Sequence, residues 1–296
     1  MKRYFMFPLL CFLIMSCSDN IDVLIITGKT NPYHDCSKMA KCIQSTLSEY
    51  DKFRVDIMDI TQYTLDAFSP KFQQYDAVVL NFDLVEWSDA TKQNFVNYVR
   101  NGGGVVVVHE ADNAFPDWKE YNEIIGLGGW GGRKKSAGPY YYWKDGDFVR
   151  DDQTEGRGGG HGKPVPYYIN LRDSVHPITA GLPTRWLHLY DELYCNLRGP
   201  IGDIHPLATA FSDKETGGSG KEELVLFTIK YGKGRVFHTV LGHASLHDDN
   251  ALRNRGFQVT LARGTEWAAT GAVKQKTTFS SVVEHEDIPL SPTSVK

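Results

Sequence analysis

Long apolar runs, basic clusters and the common hydrolase signatures are all missing from this chain. No stretch reaches the roughly 20 apolar residues that a permanent membrane span requires. Lysine and arginine are scattered among acidic residues at a formal net charge of −4. No basic cluster invites nucleic acid or an anionic membrane surface. Cysteine is scarce: beyond residue 17 only Cys36, Cys42 and Cys195 occur, an odd count that supports no disulfide framework. Cys36 and Cys42 are spaced to meet in an oxidising compartment, but buried free thiols are the expectation. There is no Gly-x-Ser-x-Gly elbow to supply a serine nucleophile, no paired-histidine helix of the zinc-protease type and no internal repeat.

Two glycine-rich strings imitate nucleotide motifs. Gly126-Leu127-Gly128-Gly129-Trp130-Gly131 has the dinucleotide lettering, but a polar, aromatic loop follows where a helix should open. Gly218-Ser219-Gly220-Lys221 is followed by Glu222 and by no helical pattern, so it is no phosphate loop. No nucleotide cofactor is expected.

The N-terminus reads as an address. Lys2 and Arg3 precede a short apolar run over residues 4–15, which ends in Ile14-Met15-Ser16-Cys17. This resembles a bacterial lipobox: residues 1–16 would be a signal peptide and Cys17 would carry the lipid that anchors the protein. The expected place is the periplasmic side or the outer membrane, with Ser18 arguing mildly against retention at the inner membrane. Residues 18–273 then suit a single α/β domain, and residues 274–296 form a polar, proline-spotted tail.

Within that domain, residues 21–27 (IDVLIIT), 53–60, 77–82 and 105–108 read as strands, with helices over residues 37–49 and from Ser88 to Gly102. Four consecutive valines before His109 suit a strand covered on both faces. This β-α-β-β-α-β rhythm predicts a doubly wound, mostly parallel sheet with helices on both faces. Residues 126–161 read as a long excursion over one sheet edge. Further strands are expected at residues 166–171, 187–197, 207–211, 224–229 and 235–240, the last two joined by a hairpin turn at residues 231–234. A closing helix is expected over residues 251–267 despite Gly256 and Gly264.

In such sheets, ligands bind beyond the carboxyl ends of the parallel strands. His34 follows the first strand, Asp83 and Glu86 the third, and His109 and Glu110 the fourth. The second half adds His161, Asp191, Glu192, His238 and His243. Histidine with carboxylate equips a site for general acid–base work or for a divalent metal, and the spacing does not choose between them. Each residue also has a plain reading: His109 donating to a strand-end carbonyl, or Asp191 and Glu192 tying loops together. His176, in a turn-like HPITAGLP, reads as structural, and His188, His205, His247 and His285 as core or surface.

The strings GGGVVVVHEADNAF, Trp118 with YNEIIG, HPITAGLP, DELY, YGKGRVFHTVLGH and ALRNRGFQVTLARGTEWAATG resemble the ThuA-like, trehalose-utilisation family over residues 22–273. The resemblance implies a flavodoxin-like, class I glutamine-amidotransferase-like fold. His109 stands where an amidotransferase carries its elbow cysteine, so glutaminase chemistry is not expected. The family's site residues carry over to His109, Asp191, Glu192, Tyr194, Gly242 and His243. Many relatives have a histidine-proline after the glycine-rich turn; here Arg133 or His161 would serve instead. The resemblance implies action on a glycoside or keto-glycoside, and with the N-terminal pattern the leading expectation is an exported enzyme with His109 as acid or base, Glu110 or Glu192 orienting it, and His34, His161 and His243 holding the sugar or a metal. Trp130, Tyr142 and Trp143 offer faces for pyranose stacking. The alternatives are a non-catalytic sugar-binding or scaffolding subunit of a sugar oxidoreductase system, and a metal-dependent hydrolase.

Overall fold

The computed structural model describes residues 20–200 and 202–274. The expected signal segment, Cys17, His285 and the tail from residue 275 onward lie outside the described residues. The first half runs β1 (Ile21–Thr27), α1 (Cys36–Ser48), β2 (Phe53–Asp59), β3 (Ala77–Asn81), α2 (Asp89–Arg100), β4 (Gly104–Val108) and α3 (Lys119–Ile125). The second half continues with β5 (Tyr140–Lys144), β6 (Asp147–Asp151), β7 (Gly160–His161), β8 (Val165–Leu171) and β9 (Arg185–Asp191). It ends with β10 (Tyr194–Cys195), β11 (Asp203–Ser212), β12 (Lys221–Tyr231), β13 (Gly234–Thr239), α4 (Asn250–Arg253) and α5 (Arg255–Thr270).

The heart of the main sheet is parallel, in the order β2-β1-β3-β4-β13. The chain leaves β1 toward β2 on one side and returns to β3 on the other, so the topological switch point lies between β1 and β3. Right-handed crossovers in opposite directions put α1 and α2 on opposite faces of the sheet. This is why β1, β3 and β4 carry almost no polar side chain: Val23, Ile25, Val79 and the four valines of β4 are fully buried. Beyond β13 the sheet turns antiparallel through β12, β11, β8 and β9. The fold is the α/β, flavodoxin-like architecture that the sequence predicts, and the hairpin at Gly232-Lys233 joins β12 to β13 as expected.

Three local expectations are refined. The excursion over residues 126–161 contains the β5–β6 hairpin, and β5 pairs with Glu222 and Glu223 of β12, the stretch beyond the reach of β13. The strand expected over residues 187–197 is two strands, β9 ending at Asp191 and β10 beginning at Tyr194, with left-handed backbone at Tyr190 within β9 and at Asn196 just after β10. The helix expected over residues 251–267 breaks at Asn254. Its amide leaves the helical path to accept from Leu189 N (2.8 Å) and donate to Leu189 O (2.9 Å), so it covers the outer edge of β9 as a neighbouring strand would. Glycine is tolerated in α5 because the helix lies hard against its neighbours. A Cβ at Gly264 would sit 2.0 Å from Phe237, and one at Gly256 would sit 2.4 Å from the Trp186 indole nitrogen.

Candidate functional site

Three parallel strands deliver histidine or carboxylate to one spot. His34, in the loop after β1, and Asp83, just after β3, meet across the switch point: His34 Nδ1 lies 3.0 Å from Asp83 Oδ2. Asn31 donates to the other Asp83 oxygen at 2.8 Å, and its own carbonyl oxygen accepts from His34 N. The second ring nitrogen, His34 Nε2, faces the Tyr194 hydroxyl at 3.1 Å. An Asp83–His34–Tyr194 chain thus leads inward from the loop after β3. Burial pushes the His34 imidazolium down, but the bond to Asp83 and the charges of Glu110, Asp83 and Glu192 outweigh it and raise the pKa.

His109 occupies an elbow. It follows the last valine of β4 directly and has a φ of 42°, a left-handed conformation that costs a non-glycine residue about 1–3 kcal/mol. Its Nδ1 faces the Val240 carbonyl at 2.7 Å, an oxygen that can only accept, so Nδ1 carries the proton. The bare Nε2 faces His243 Nδ1 at 3.2 Å. Burial, and then the neighbouring His243 and His34, hold the His109 pKa well below the usual imidazole range, so the ring is neutral. The Tyr194 ring lies over it with centroids 4.0 Å apart, and Trp130 lies 4.6 Å from Tyr194 on the far side.

His243 is held by its backbone. The Asp191 carboxylate, at the end of β9, accepts from Gly242 N (2.8 Å) and His243 N (3.1 Å), and from His188 Nε2 (2.8 Å). The tight turn needs glycine at residue 242, where φ is 108°. Glu192 then projects between two histidines, with Oε2 3.4 Å from His243 Nδ1 and 3.7 Å from His161 Nε2. Burial lowers the His243 pKa against the pull of Glu192 and Asp191.

These groups floor a cavity of about 1470 Å³, larger than the roughly 300–1,000 Å³ of most small-ligand sites. Its walls include His34, Asp83, Trp130, His161, Glu192, Tyr194 and His243. His109, expected to act on a ligand directly, has no exposed surface and lies behind this wall. Other expected site residues are structural supports. Asp191 is fully buried on its three donors. The Arg133 guanidinium donates to the carbonyls of Asn113, Ala114 and Gly129 and to Asn122 Oδ1, tying the glycine-rich loop to the segment after β4. His238 is buried, with Nδ1 on the Ile125 carbonyl and Nε2 3.8 Å from Asp112. Glu110 is buried beside the Cys36 thiol without a hydrogen-bond partner among the described residues, and burial pushes its carboxyl up to about 8. Tyr142 and Trp143 lie on β5, outside the cavity wall.

Asp83 is the member that the sequence reading noted by position without assigning it a role. The signal available was its place after β3, opposite His34 across the switch point. His188, read as core or surface, is core, but as the partner of Asp191.

The family model described as trehalose utilisation matches residues 22–268. Among solved structures, a ThuA-like protein from Parabacteroides merdae is similar at 46% identity and a TM-score of 0.84, covering 90% of this chain and 96% of that one. A ThuA-like protein from Bacteroides uniformis, at 15% identity and a TM-score of 0.57, covers 88% of this chain and 94% of that one and shares the fold. No curated protein matches the chain.

Proposed function

This chain belongs to the trehalose-utilisation (ThuA) family, and from that premise we propose that it is a carbohydrate-processing enzyme moving protons on a glycoside or keto-glycoside. The observation that carries this reading is the pairing, on one cavity wall, of a proton-donating end with a proton-accepting end. The donor is Tyr194. Burial and the carboxylates of Asp112, Glu192 and Glu110 hold its pKa well above the usual phenol range, so the hydroxyl keeps its proton, backed by His34 and Asp83. The acceptor is His161. Its Nδ1 faces the Gly162 carbonyl at 2.8 Å and is therefore the protonated nitrogen, which leaves the Nε2 lone pair free on the cavity wall. Glu192 Oε2 stands 3.7 Å from that nitrogen.

A sugar ring bearing a carbonyl suits this pair. Tyr194 donates to the carbonyl oxygen while His161 removes a proton from the neighbouring carbon, and the electron pair of that C–H bond becomes the C=C of an enediol. Return of the proton to another carbon is isomerisation; in elimination a β-placed glycosidic oxygen leaves with the proton held by His161 while the enediol oxygen returns its proton to Tyr194 as the carbonyl re-forms. Trp130 supports the reading as an aromatic wall beside both groups.

Incubation with disaccharides and their 3-keto derivatives in D₂O, followed by NMR, tests it. Deuterium entering the ring carbon beside the carbonyl, together with product formation, is the expected result. Tyr194→Phe and His161→Gln should each lower kcat by about 10²–10⁴-fold. Saturable sugar binding with neither exchange nor turnover would move the assignment to a binding subunit serving a sugar oxidoreductase. We also propose that the protein is exported and anchored through lipid on Cys17, a reading supported by the residues 1–17 pattern alone.

A further inference from the structure

Behind the catalytic pair lies a cluster that proton transfer explains only in part: His34 backs Tyr194 and Glu192 faces His161, but His109 and His243 take no part in it. His34, His109, His243 and Glu192 each offer one donor atom, and these four atoms all lie within 4.8 Å of one another. They come from four separate places, the loops after β1, β4, β13 and β9, so no local spacing in the sequence groups them.

The hydrogen bonds around the cluster decide which atoms face inward. His109 gives its Nδ1 proton to Val240 O, leaving Nε2 bare. His34 Nδ1 is engaged by the Asp83 carboxylate, leaving Nε2 toward the centre. Backing of an imidazole by a carbonyl or a carboxylate is what ligating histidines almost always show, because it fixes the tautomer and raises the basicity of the free nitrogen. His243 turns Nδ1 inward, 3.2 Å from His109 Nε2 and 3.4 Å from Glu192 Oε2. A tetrahedron with zinc–nitrogen and zinc–oxygen bonds of about 2.0–2.1 Å has edges of about 3.3–3.4 Å, which both contacts match. Four electron-rich atoms pointed at one spot repel each other unless a positive centre lies among them. Protons can answer them piecemeal, one on His243 Nδ1 facing His109 and Glu192 and the Tyr194 hydroxyl facing His34 Nε2, whereas a cation answers all four from one point.

We propose that His34 Nε2, His109 Nε2, His243 Nδ1 and a Glu192 carboxylate oxygen bind one divalent first-row cation, of which Zn²⁺ is the best-fitting representative. The elbow residue His109 is then a ligand from beneath, which accounts for its complete burial under Tyr194. Asp83 becomes the backing group for His34, and the Tyr194 hydroxyl is released from His34 toward the cavity. A cation here supplies charge to polarise a sugar oxygen held above it. The carboxylates of Glu192 and Asp83 offset part of its charge. Nothing in this inference depends on which sugar, if any, is turned over.

The test uses metal alone. The full chain, stripped with chelator and dialysed, is titrated with Zn²⁺ and separately with Mn²⁺ by calorimetry, with metal content measured after desalting. One tightly bound equivalent and a thermal midpoint raised by about 5 °C or more are expected. Glu192→Gln and His109→Ala should each weaken binding at least about 100-fold, whereas His205→Ala, an exposed histidine paired to Asp173, should leave it unchanged. Should His109→Ala fail to fold, His243→Gln on the cavity wall replaces it. No saturable equivalent of either cation, or binding that persists in Glu192→Gln and in the histidine variant, overturns the assignment. Turnover of a keto-sugar by protein that binds neither cation would leave the proposed function standing while this inference fell.

Discussion

Asp191→Asn separates a supporting carboxylate from a catalytic one. Asp191 is fully buried and receives three donors: His188 Nε2 and Gly242 N on Oδ2, and His243 N on Oδ1. His188 Nδ1 has no partner among the described residues, so its proton sits on Nε2 and is given to Asp191. An asparagine of the same shape keeps an oxygen for the first two donors. Its amino group, however, must face the His243 N–H, which is then left buried and unpaired at a cost of about 1–3 kcal/mol. The two surviving bonds lose their charge assistance, worth about another 0.5–1 kcal/mol each by the halving between charged and neutral bonds. The sum is about 2–5 kcal/mol, against a total stability of order 5–15 kcal/mol for a domain. The variant should therefore still fold, with its thermal midpoint lowered by roughly 4–20 °C at about 2–4 °C per kcal/mol. Because the bond lost is the one that places His243, metal binding or turnover should fall as well. The assay is thermal unfolding followed by circular dichroism, with activity measured well below the transition. A midpoint within about 1 °C of the unaltered protein would refute the claim that Asp191 holds the Gly242–His243 turn.

Glu223 on β12 makes a pH prediction of definite sign. Burial raises its carboxyl from 4.5 to about 7, with the Ser219 hydroxyl 2.6 Å away opposing the rise. The folded carboxyl holds its proton where the unfolded one has lost it, so its contribution is fully present below about pH 4.5 and is lost as pH rises through about 7. That difference is worth about 3 kcal/mol at 1.36 kcal/mol per unit. Glu223→Gln should flatten the decline in thermal midpoint between pH 5 and pH 8, and an unchanged slope counts against it. For the anchor, Cys17→Ser should abolish incorporation of labelled fatty acid and release the protein from the membrane fraction; equal labelling of the variant rules out Cys17 as the lipid site.

What the sequence disclosed follows from which interactions are local. The apolar β1, β3 and β4 declare themselves because a parallel strand is covered on both faces, and that pattern is written in consecutive residues. Once those strands are placed, the rule about carboxyl ends brings His34, His109 and His243 together without any pairwise signal. Partnerships are another matter. That Asp83 backs His34, or that Val240 O fixes the tautomer of His109, depends on loop paths between residues 49 and 131 positions apart. The break at Asn254 is hidden for the same reason: a tertiary contact with Leu189 overrides a locally plausible helix. Arg133 is offered by the resemblance in place of the relatives' histidine-proline, yet glycine-rich loops lack regular backbone pairing, and its guanidinium serves that need internally. Among the described residues no helix is long and apolar enough to cross a membrane, which agrees with the absence of long apolar runs in this part of the sequence.

The elbow itself argues about chemistry. A strained strand-to-helix turn is useful for a nucleophile because it lifts the side chain clear of the sheet and into the open. Here the turn is retained, with φ of 42° at His109, but the side chain is roofed by Tyr194 at 4.0 Å and has no exposed surface. Strain of about 1–3 kcal/mol would be wasted on an inert core histidine, since an extended residue could reach a strand-end carbonyl without it. What the left-handed turn achieves is direction: it aims one nitrogen at Val240 O and the other at His243, at the carboxyl end of the sheet where the cavity floor is built. An imidazole so aimed and so covered cannot attack a ligand. It can hold, with the donors around it, the cation proposed above, which would polarise one.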